Sequence, residues 1–184
     1  QATTNFSFLR GGSHPEELVM RAAELGHRAI GVADRNTLAG VVRAHSAARR
    51  AGLKLLVGAR LDLMEGWSLL CYPMDKPAYG RLSTLLTVGK RRTEKAQCHL
   101  WIEDLAAHAE GQIAIMLPPD DILSTRSPCA RPGEAGNVVP LRRPPESATD
   151  PSPALPFEAF LDRIVKLFPG RAYLAAQMLY RGDD

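Results

Sequence analysis

Apolar positions recur at helical spacing, then at strand spacing, then at helical spacing again along most of this chain. Residues 2–7 read as a short strand. Leu18, Ala22 and Leu25 then fall at i, i+4 and i+7 and predict a helix. Ser13 can cap it, Pro15 suits its first turn, Glu16 completes an S-x-x-E box and Gly26 ends it. Residues 29–33 form a buried-strand run. Val41, Val42, His45 and Ala48 mark a second helix closed by Gly52. Residues 53–63 and 67–72 read as two strands around a Glu65-Gly66 turn. Tyr79, Leu82, Leu85 and Leu86 give a third helical face, and Ile102, Leu105 and Ala109 a fourth, leading into the apolar strand 113–117. Farther on, Phe157, Phe160, Leu161, Ile164 and Leu167 make a strongly amphipathic helix stopped by Pro169-Gly170, with a last strand at 173–176.

Apolar strands alternating with helices predict an α/β fold, a parallel sheet with helices outside it, as an open sheet or a barrel. The pattern breaks once. Ten of the chain's 14 prolines lie from Pro118 to Pro156, far longer than the usual connection of about 4–6 residues, so residues 118–156 read as a flexible proline-rich insertion. The part after Pro156 offers only one helix and one strand, too little to stand alone. The insertion therefore interrupts a single domain spanning residues 1–184.

Composition adds exclusions. With 184 residues, 45% hydrophobic and 23% charged, the chain can bury a core of its own, and collagen-like, coiled-coil and wholly disordered readings fall away. No apolar run approaches the roughly 20 residues of a spanning helix. Gln1 stands where an initiator methionine would, as in a piece of a longer chain, and no basic-then-apolar leader follows it, so the expected location is the cytoplasm. Lys and Arg outnumber Asp and Glu by 23 to 20, a net charge of +3 that permits nucleic acid without demanding it. Cys71, Cys98 and Cys129 are odd in number and form no C-x-x-C pair, which argues against a disulfide framework or a structural zinc site.

In barrels of this kind chemistry sits at the C-terminal strand ends. The candidates there are Thr3-Thr4-Asn5, Ala33-Asp34-Arg35-Asn36, Gly58-Ala59-Arg60, Leu117-Pro118-Pro119 and Gln177-Met178-Leu179. A metal or hydrolytic centre needs several His, Asp, Glu or Cys side chains converging, and among these segments only Asp34 supplies one. Asp34-Arg35 admits a catalytic acid with an electrostatic partner, or a carboxylate that caps the next helix or pairs with its neighbour. His14, His27, His45, His99 and His108 show no metal-ligand spacing, and no phosphate-binding glycine loop is present; Gly11-Gly12 reads only as a flexible turn. Gly89-Lys90-Arg91-Arg92 is the one basic run: either contacts to nucleic-acid phosphates or a solvated helix end.

Five phrases in order carry a resemblance: Thr4-Asn5-Phe6-Ser7-Phe8-Leu9-Arg10-Gly11, Ser13-His14-Pro15-Glu16-Glu17-Leu18, Ala33-Asp34-Arg35-Asn36-Thr37-Leu38-Ala39-Gly40, Leu55-Leu56-Val57-Gly58-Ala59-Arg60 and Leu69-Leu70-Cys71-Tyr72-Pro73. The chain resembles the N-terminal PHP (polymerase and histidinol phosphatase) domain of bacterial C-family DNA polymerases. Within them it is most similar to the error-prone, damage-inducible paralogue of the DNA polymerase III alpha subunit; Tyr180-Arg181-Gly182-Asp183-Asp184 and the basic run also resemble that branch.

The resemblance implies a distorted βα barrel of PHP type, incomplete at its C-terminal end. It also implies a degenerate metal site. The H-x-H positions of metal-binding members match Gln1 and Thr3, the Asp-His pair matches Asp34-Arg35, an acidic ligand matches Arg60, and a later histidine matches Ser68. Fixed positive charge at Arg35 and Arg60 disfavours a cation, and an arginine pairing with Asp34 would fill the old cavity. The expectation is a domain with no catalytic residue, no metal and no cofactor of its own, supporting a polymerase whose separate catalytic module uses Mg. The implied partners are the remaining polymerase domains, DNA contacted through the parent chain, accessory translesion proteins and the sliding clamp, with no membrane. Lys90, Arg91 and Arg92 are the candidate DNA-phosphate contacts. The alternatives are an active metal-dependent phosphoesterase or proofreading exonuclease, and a DNA-binding accessory module.

Overall fold

The structure, a computed structural model, describes residues 2–118 and 155–176. In order these form α1 (Pro15–Glu24), β1 (Ala29–Arg35), α2 (Val41–Ala51), β2 (Lys54–Asp62), β3 (Ser68–Pro73), α3 (Lys76–Arg91), α4 (Ile102–Ala107), β4 (Gln112–Leu117), α5 (Phe157–Leu167) and β5 (Ala172–Leu174). The fold is mixed α/β around a five-stranded sheet of order β1-β2-β3-β4-β5.

The sheet is not all parallel. β1 runs parallel to β2 and β4 to β5, but β3 is antiparallel to both its neighbours. The cause is the short Glu65-Gly66 connection, with Gly66 at φ +88°: two strands joined by so few residues pair only as a hairpin. The expected strand at residues 2–7 is reduced to one parallel bridge, Ala2 to Val32, after which the backbone folds into turns whose polar groups bond locally and to Asp34. Of the expected insertion 118–156, residues 119–154 lie outside the described residues, as do Gln1, Cys129 and the 177–184 tail.

Alternation along the strands sorts the sheet into two unlike faces. Val32, Ala59, Leu61, Leu69, Cys71, Ala114 and Met116 share one face with the buried residues of every helix. Leu82, Leu85 and Leu86 of α3, Ile102 and Leu105 of α4, and Phe160, Ile164 and Phe168 around α5 fill its larger half, while Val19 of α1 and Ala44, Ala47 and Ala48 of α2 fill the smaller. The opposite face carries Ala33, Leu70 and Leu117, with Arg35, Arg60, Asp62 and Ser68 at one end.

Two helices are turned relative to expectation. α1 buries Pro15, Val19 and Ala22 and leaves Leu25 exposed; α2 buries Ala44, Ala47 and Ala48 and leaves Val42 exposed. Packing explains both, since α1 and α2 touch each other and small side chains allow a closer approach than the larger Val42 would. The N-cap of α1 is His14 rather than Ser13, and its backbone N–H donates to Glu17 Oε2 at 2.8 Å, one residue beyond the expected box. α3 is capped by Asp75, whose carboxylate accepts from Ala78 N–H at 2.7 Å.

Candidate functional site

The C-terminal ends of β1, β2 and β4 and the start of β3 lie together, because antiparallel β3 places Ser68 opposite both Asp62 and Leu117. Asp34 and Arg35, adjacent in sequence at the end of β1, point to opposite faces, as consecutive strand residues must. This separates two clusters that the sequence alone joins.

On the helix face Asp34 is 2% exposed. Its carboxylate accepts from Thr4 N–H at 2.7 Å, Thr4 Oγ1–H at 2.8 Å and Ser7 Oγ–H at 2.7 Å. Ser7 Oγ in turn accepts from Arg35 N–H at 2.9 Å. Asp34 therefore neither caps α2 nor pairs with an arginine, correcting both expectations: it clamps the 4–7 loop onto the end of β1. A charge so far out of water is tolerable because three donors replace its hydration.

Gly11 belongs to the same clamp. A Cβ there would meet Thr4 O at 2.2 Å and Thr3 O at 2.8 Å, so this glycine is a close backbone approach and not merely a flexible turn. Gly11→Ala must push the Thr3-Thr4 backbone off Asp34. The expected cost is about 1–3 kcal/mol, read as a lowered urea midpoint, whereas Gly12→Ala, with open space around it, is expected to be near neutral.

On the opposite face Asp62, absent from the sequence-based candidates, is the hub. It accepts from Arg35 Nε–H, from Arg60 Nε–H at 2.9 Å and from Ser68 Oγ–H at 2.7 Å; Ser68 Oγ also accepts from Arg60 Nη2 at 3.1 Å. The Asp62 backbone N–H donates to Asn36 Oδ1 at 3.1 Å, and Asn36 holds the left-handed turn (φ +49°) that ends β1. So the two arginines pair with Asp62 and not with Asp34. The spacing Arg60-x-Asp62, two residues apart on one strand face, was the available signal. Thr3 joins the rim of this cluster, with Arg10, Ala33, Arg35 and Arg60, around a cavity of about 270 Å³. Gln1 lies outside the described residues.

Burial works to raise the Asp62 carboxyl pKa, but the Ser68 hydroxyl and the Arg60 and Arg35 guanidiniums outweigh it and hold it below the ordinary value. Depression in the folded state means that the ionised carboxylate stabilises the fold above an unfolded pKa of about 3.9, and that this stability is lost as pH falls through the folded value. Asp62→Asn is accordingly expected to flatten the acid limb of a stability-against-pH curve below about pH 4. An unchanged acid limb would show that the pair carries no net stabilisation.

The basic run ends α3. Arg92 is held by a two-pronged pair to Asp104, at 2.5 and 2.7 Å, while Asp104 also accepts from Trp101 N–H at 3.0 Å. Arg92 thus fastens α3 to the start of α4. Lys90 and Arg91 are exposed. His14 Nδ1 lies 3.0 Å from Asn5 Nδ2, and His108 Nδ1 lies 2.8 Å from the Asp104 carbonyl oxygen. Among the described residues, no group of three or more His, Cys, Asp or Glu side chains is placed to hold a metal ion, and no helix is long and apolar enough to cross a membrane.

Comparison with known proteins agrees with this architecture. The chain is 58% identical over 120 residues to an error-prone DNA polymerase of Caulobacter vibrioides, a match covering 65% of this chain and 11% of that protein. It is 53% identical over 187 residues to an error-prone DNA polymerase of Rhodopseudomonas palustris strain BisB5, covering 99% of this chain and 14% of that protein. The chain thus spans only a small part of the curated relatives it matches. Among solved structures, one described as a metal-dependent phosphoesterase from Bifidobacterium adolescentis shares the fold, with TM-score 0.50 at 15% identity over 68% of this chain and 71% of that one. The PHP domain family matches residues 1–178, nearly the whole length, and the chain belongs to that family.

Proposed function

We propose that this chain is a non-catalytic, metal-free PHP domain that serves as a scaffold within an error-prone DNA polymerase, in translesion synthesis and mutagenic DNA repair. The observation that carries the reading is the cluster at the end of β1 and β2: Asp62, an acidic group on the site face, is occupied by the guanidiniums of Arg35 and Arg60. The metal that the family resemblance implies does not fit this donor set. A divalent cation there would face two fixed positive charges, and the second carboxylate, Asp34, is turned to the other side of the sheet with three donors on it. Thr3, Arg35, Arg60 and Ser68, together with Gln1, are the degenerate ligand positions in this reading.

The error-prone polymerase assignment draws on the relatives at 53% and 58% identity. The polymerase chemistry, with its Mg, would belong to other parts of the parent chain, as would clamp and accessory-protein binding in the cytoplasm. The scaffold would be one PHP barrel interrupted at 118–156. In support, β5 pairs with β4 and α5 enters the same core as α3 and α4 across that interruption. Lys90 and Arg91 at the end of α3 would add DNA-phosphate contacts, with Arg92 contributing less because Asp104 already holds it.

The test is hydrolytic. In the full chain, phosphate-ester and 3′-exonuclease assays with added manganese should give rates equal to the no-enzyme control. Manganese-dependent hydrolysis that Asp62→Ala abolishes would refute the scaffold reading and favour an active phosphoesterase.

A further inference from the structure

We infer that the end of the sheet remote from Asp34 and Asp62 is a contact surface for the phosphate backbone of duplex DNA, formed by Arg28, Arg49, Arg50 and Lys54. Three segments meet there: the connection from α1 to β1, the last turn of α2 and the first residue of β2. Ala29 opposite Lys54 begins the parallel pairing of β1 with β2, and α1 packs against α2, so the four side chains emerge from one end of the molecule. Ala29 and Arg35 stand six residues apart along β1, about 20 Å, which sets this surface well away from the cluster around Asp62.

Charge carries the inference. Residues 21–31 and 46–56 hold five Lys and Arg side chains and one carboxylate, Glu24, and Arg21 already pairs with Glu24 at 3.1 Å. The other four cations are exposed, with no side-chain hydrogen bond or ion pair among the described residues. Elsewhere the pattern is the reverse: Arg43, Arg81, Arg92 and Arg163 each meet a carboxylate. The attraction of a helix C-terminus for cations accounts for the Arg49-Arg50 pair in part, but Arg28 and Lys54 lie outside the helices. Unpaired cations gathered in this way repel one another, and a run of phosphates relieves the repulsion while releasing its own counterions. Arginine forks suit phosphate oxygens. A single strand is usually gripped by stacking its bases on aromatic side chains, whereas residues 19–56 contain no Phe, Tyr or Trp, so the chemistry fits a duplex held by its backbone alone. The choice of DNA among polyanions rests on the polymerase reading above.

The test is fluorescence anisotropy of a labelled duplex of about 20 base pairs on the full chain, with salt varied from about 50 to 200 mM. Two double variants, Arg49→Ala with Arg50→Ala and Arg28→Ala with Lys54→Ala, change only exposed side chains. Each should weaken binding at least about tenfold at the lower salt and reduce the slope of log affinity against log salt by about 1.8, the counterions released by two contacts. Lys76→Ala with Lys166→Ala removes the same charge from exposed positions on α3 and α5 and should leave affinity and slope unchanged. No binding at the lower salt, an unchanged slope in both patch variants, or an equal loss in the Lys76 and Lys166 variant would overturn the inference. Tighter binding of a single strand of the same length, or polyglutamate of equal charge competing as well as the duplex, would overturn it too. None of these outcomes bears on the hydrolytic assays, so the scaffold reading stands or falls separately.

Discussion

Asp34→Ala is expected to cost about 3–5 kcal/mol, because it strips the common acceptor from three donors, the Thr4 N–H and the Thr4 and Ser7 hydroxyls, at a site 2% exposed. Each charge-assisted bond there contributes about 1.5–3 kcal/mol, and the hydroxyls recover part of the loss by turning to other acceptors, while the buried N–H cannot turn. Against a typical total of about 5–15 kcal/mol, that leaves the fold marginal. Asp34→Asn separates charge from shape: the amide keeps one acceptor oxygen but turns an NH₂ towards a donor, so an intermediate loss is expected. Urea unfolding of both variants decides the matter. A change below about 1 kcal/mol for Asp34→Ala would mean that the 4–7 loop does not depend on this clamp.

The second large effect is expected at Phe160. Its ring is fully buried, lies 6.1 Å from the Trp67 ring in a stacked arrangement, and belongs to the cluster that joins α5 to the sheet and to α3 and α4. Trp67 Nε1–H meanwhile donates to the Leu155 carbonyl at 2.8 Å, so the ring pair and this bond fasten the entry of α5 together. Phe160→Ala removes the ring from a packed core and is expected to cost about 3–5 kcal/mol. Phe160→Leu, which keeps most of the volume, should cost substantially less. The informative readout is hydrogen exchange: amides of α5 and β5 should lose protection before those of β2 and β3. Uniform loss across the sheet would show that α5 is no separable layer.

These two sites also show where sequence reasoning succeeds and where it stops. The helix 157–167 was legible because Phe157, Phe160, Leu161 and Ile164 repeat at helical spacing and no competing face exists. The strands β2 and β3 were legible because Glu65-Gly66 interrupts two apolar runs, but their antiparallel pairing departs from the parallel sheet that the alternation of strands and helices suggests. The face of α2 was not: a stripe of alanines carries little hydrophobic signal beside Val42, yet Ala44, Ala47 and Ala48 are what permit close packing against α1. Periodicity measures apolarity and is blind to the distance between helices.

The site was half legible for a similar reason. Arg35, Arg60 and Ser68 were singled out from resemblance, and the structure brings all three to Asp62. Asp62 itself carries no signal when each strand end is considered alone. Pairing across β2 and β3, which sets Asp62 beside Ser68, depends on register. Asp34 is legible as the carboxylate at a strand end, but adjacency in sequence suggests contact with Arg35 while the pleat sends the two side chains apart. Arg10 carried no signal by itself: its position over the cavity follows from Gly11 packing against Thr4, a contact no motif announces.

The account stands or falls on what occupies the end of the sheet between Arg35 and Arg60. Elemental analysis of the full chain, purified without added metal and then dialysed against zinc, manganese and iron in turn, measures it most directly when paired with the Asp62→Ala variant. The account predicts far less than one equivalent of any of the three metals attributable to this site, with no difference between parent and variant. One or more equivalents per chain that Asp62→Ala removes would contradict it, and would mean that the guanidiniums yield the carboxylate to a cation.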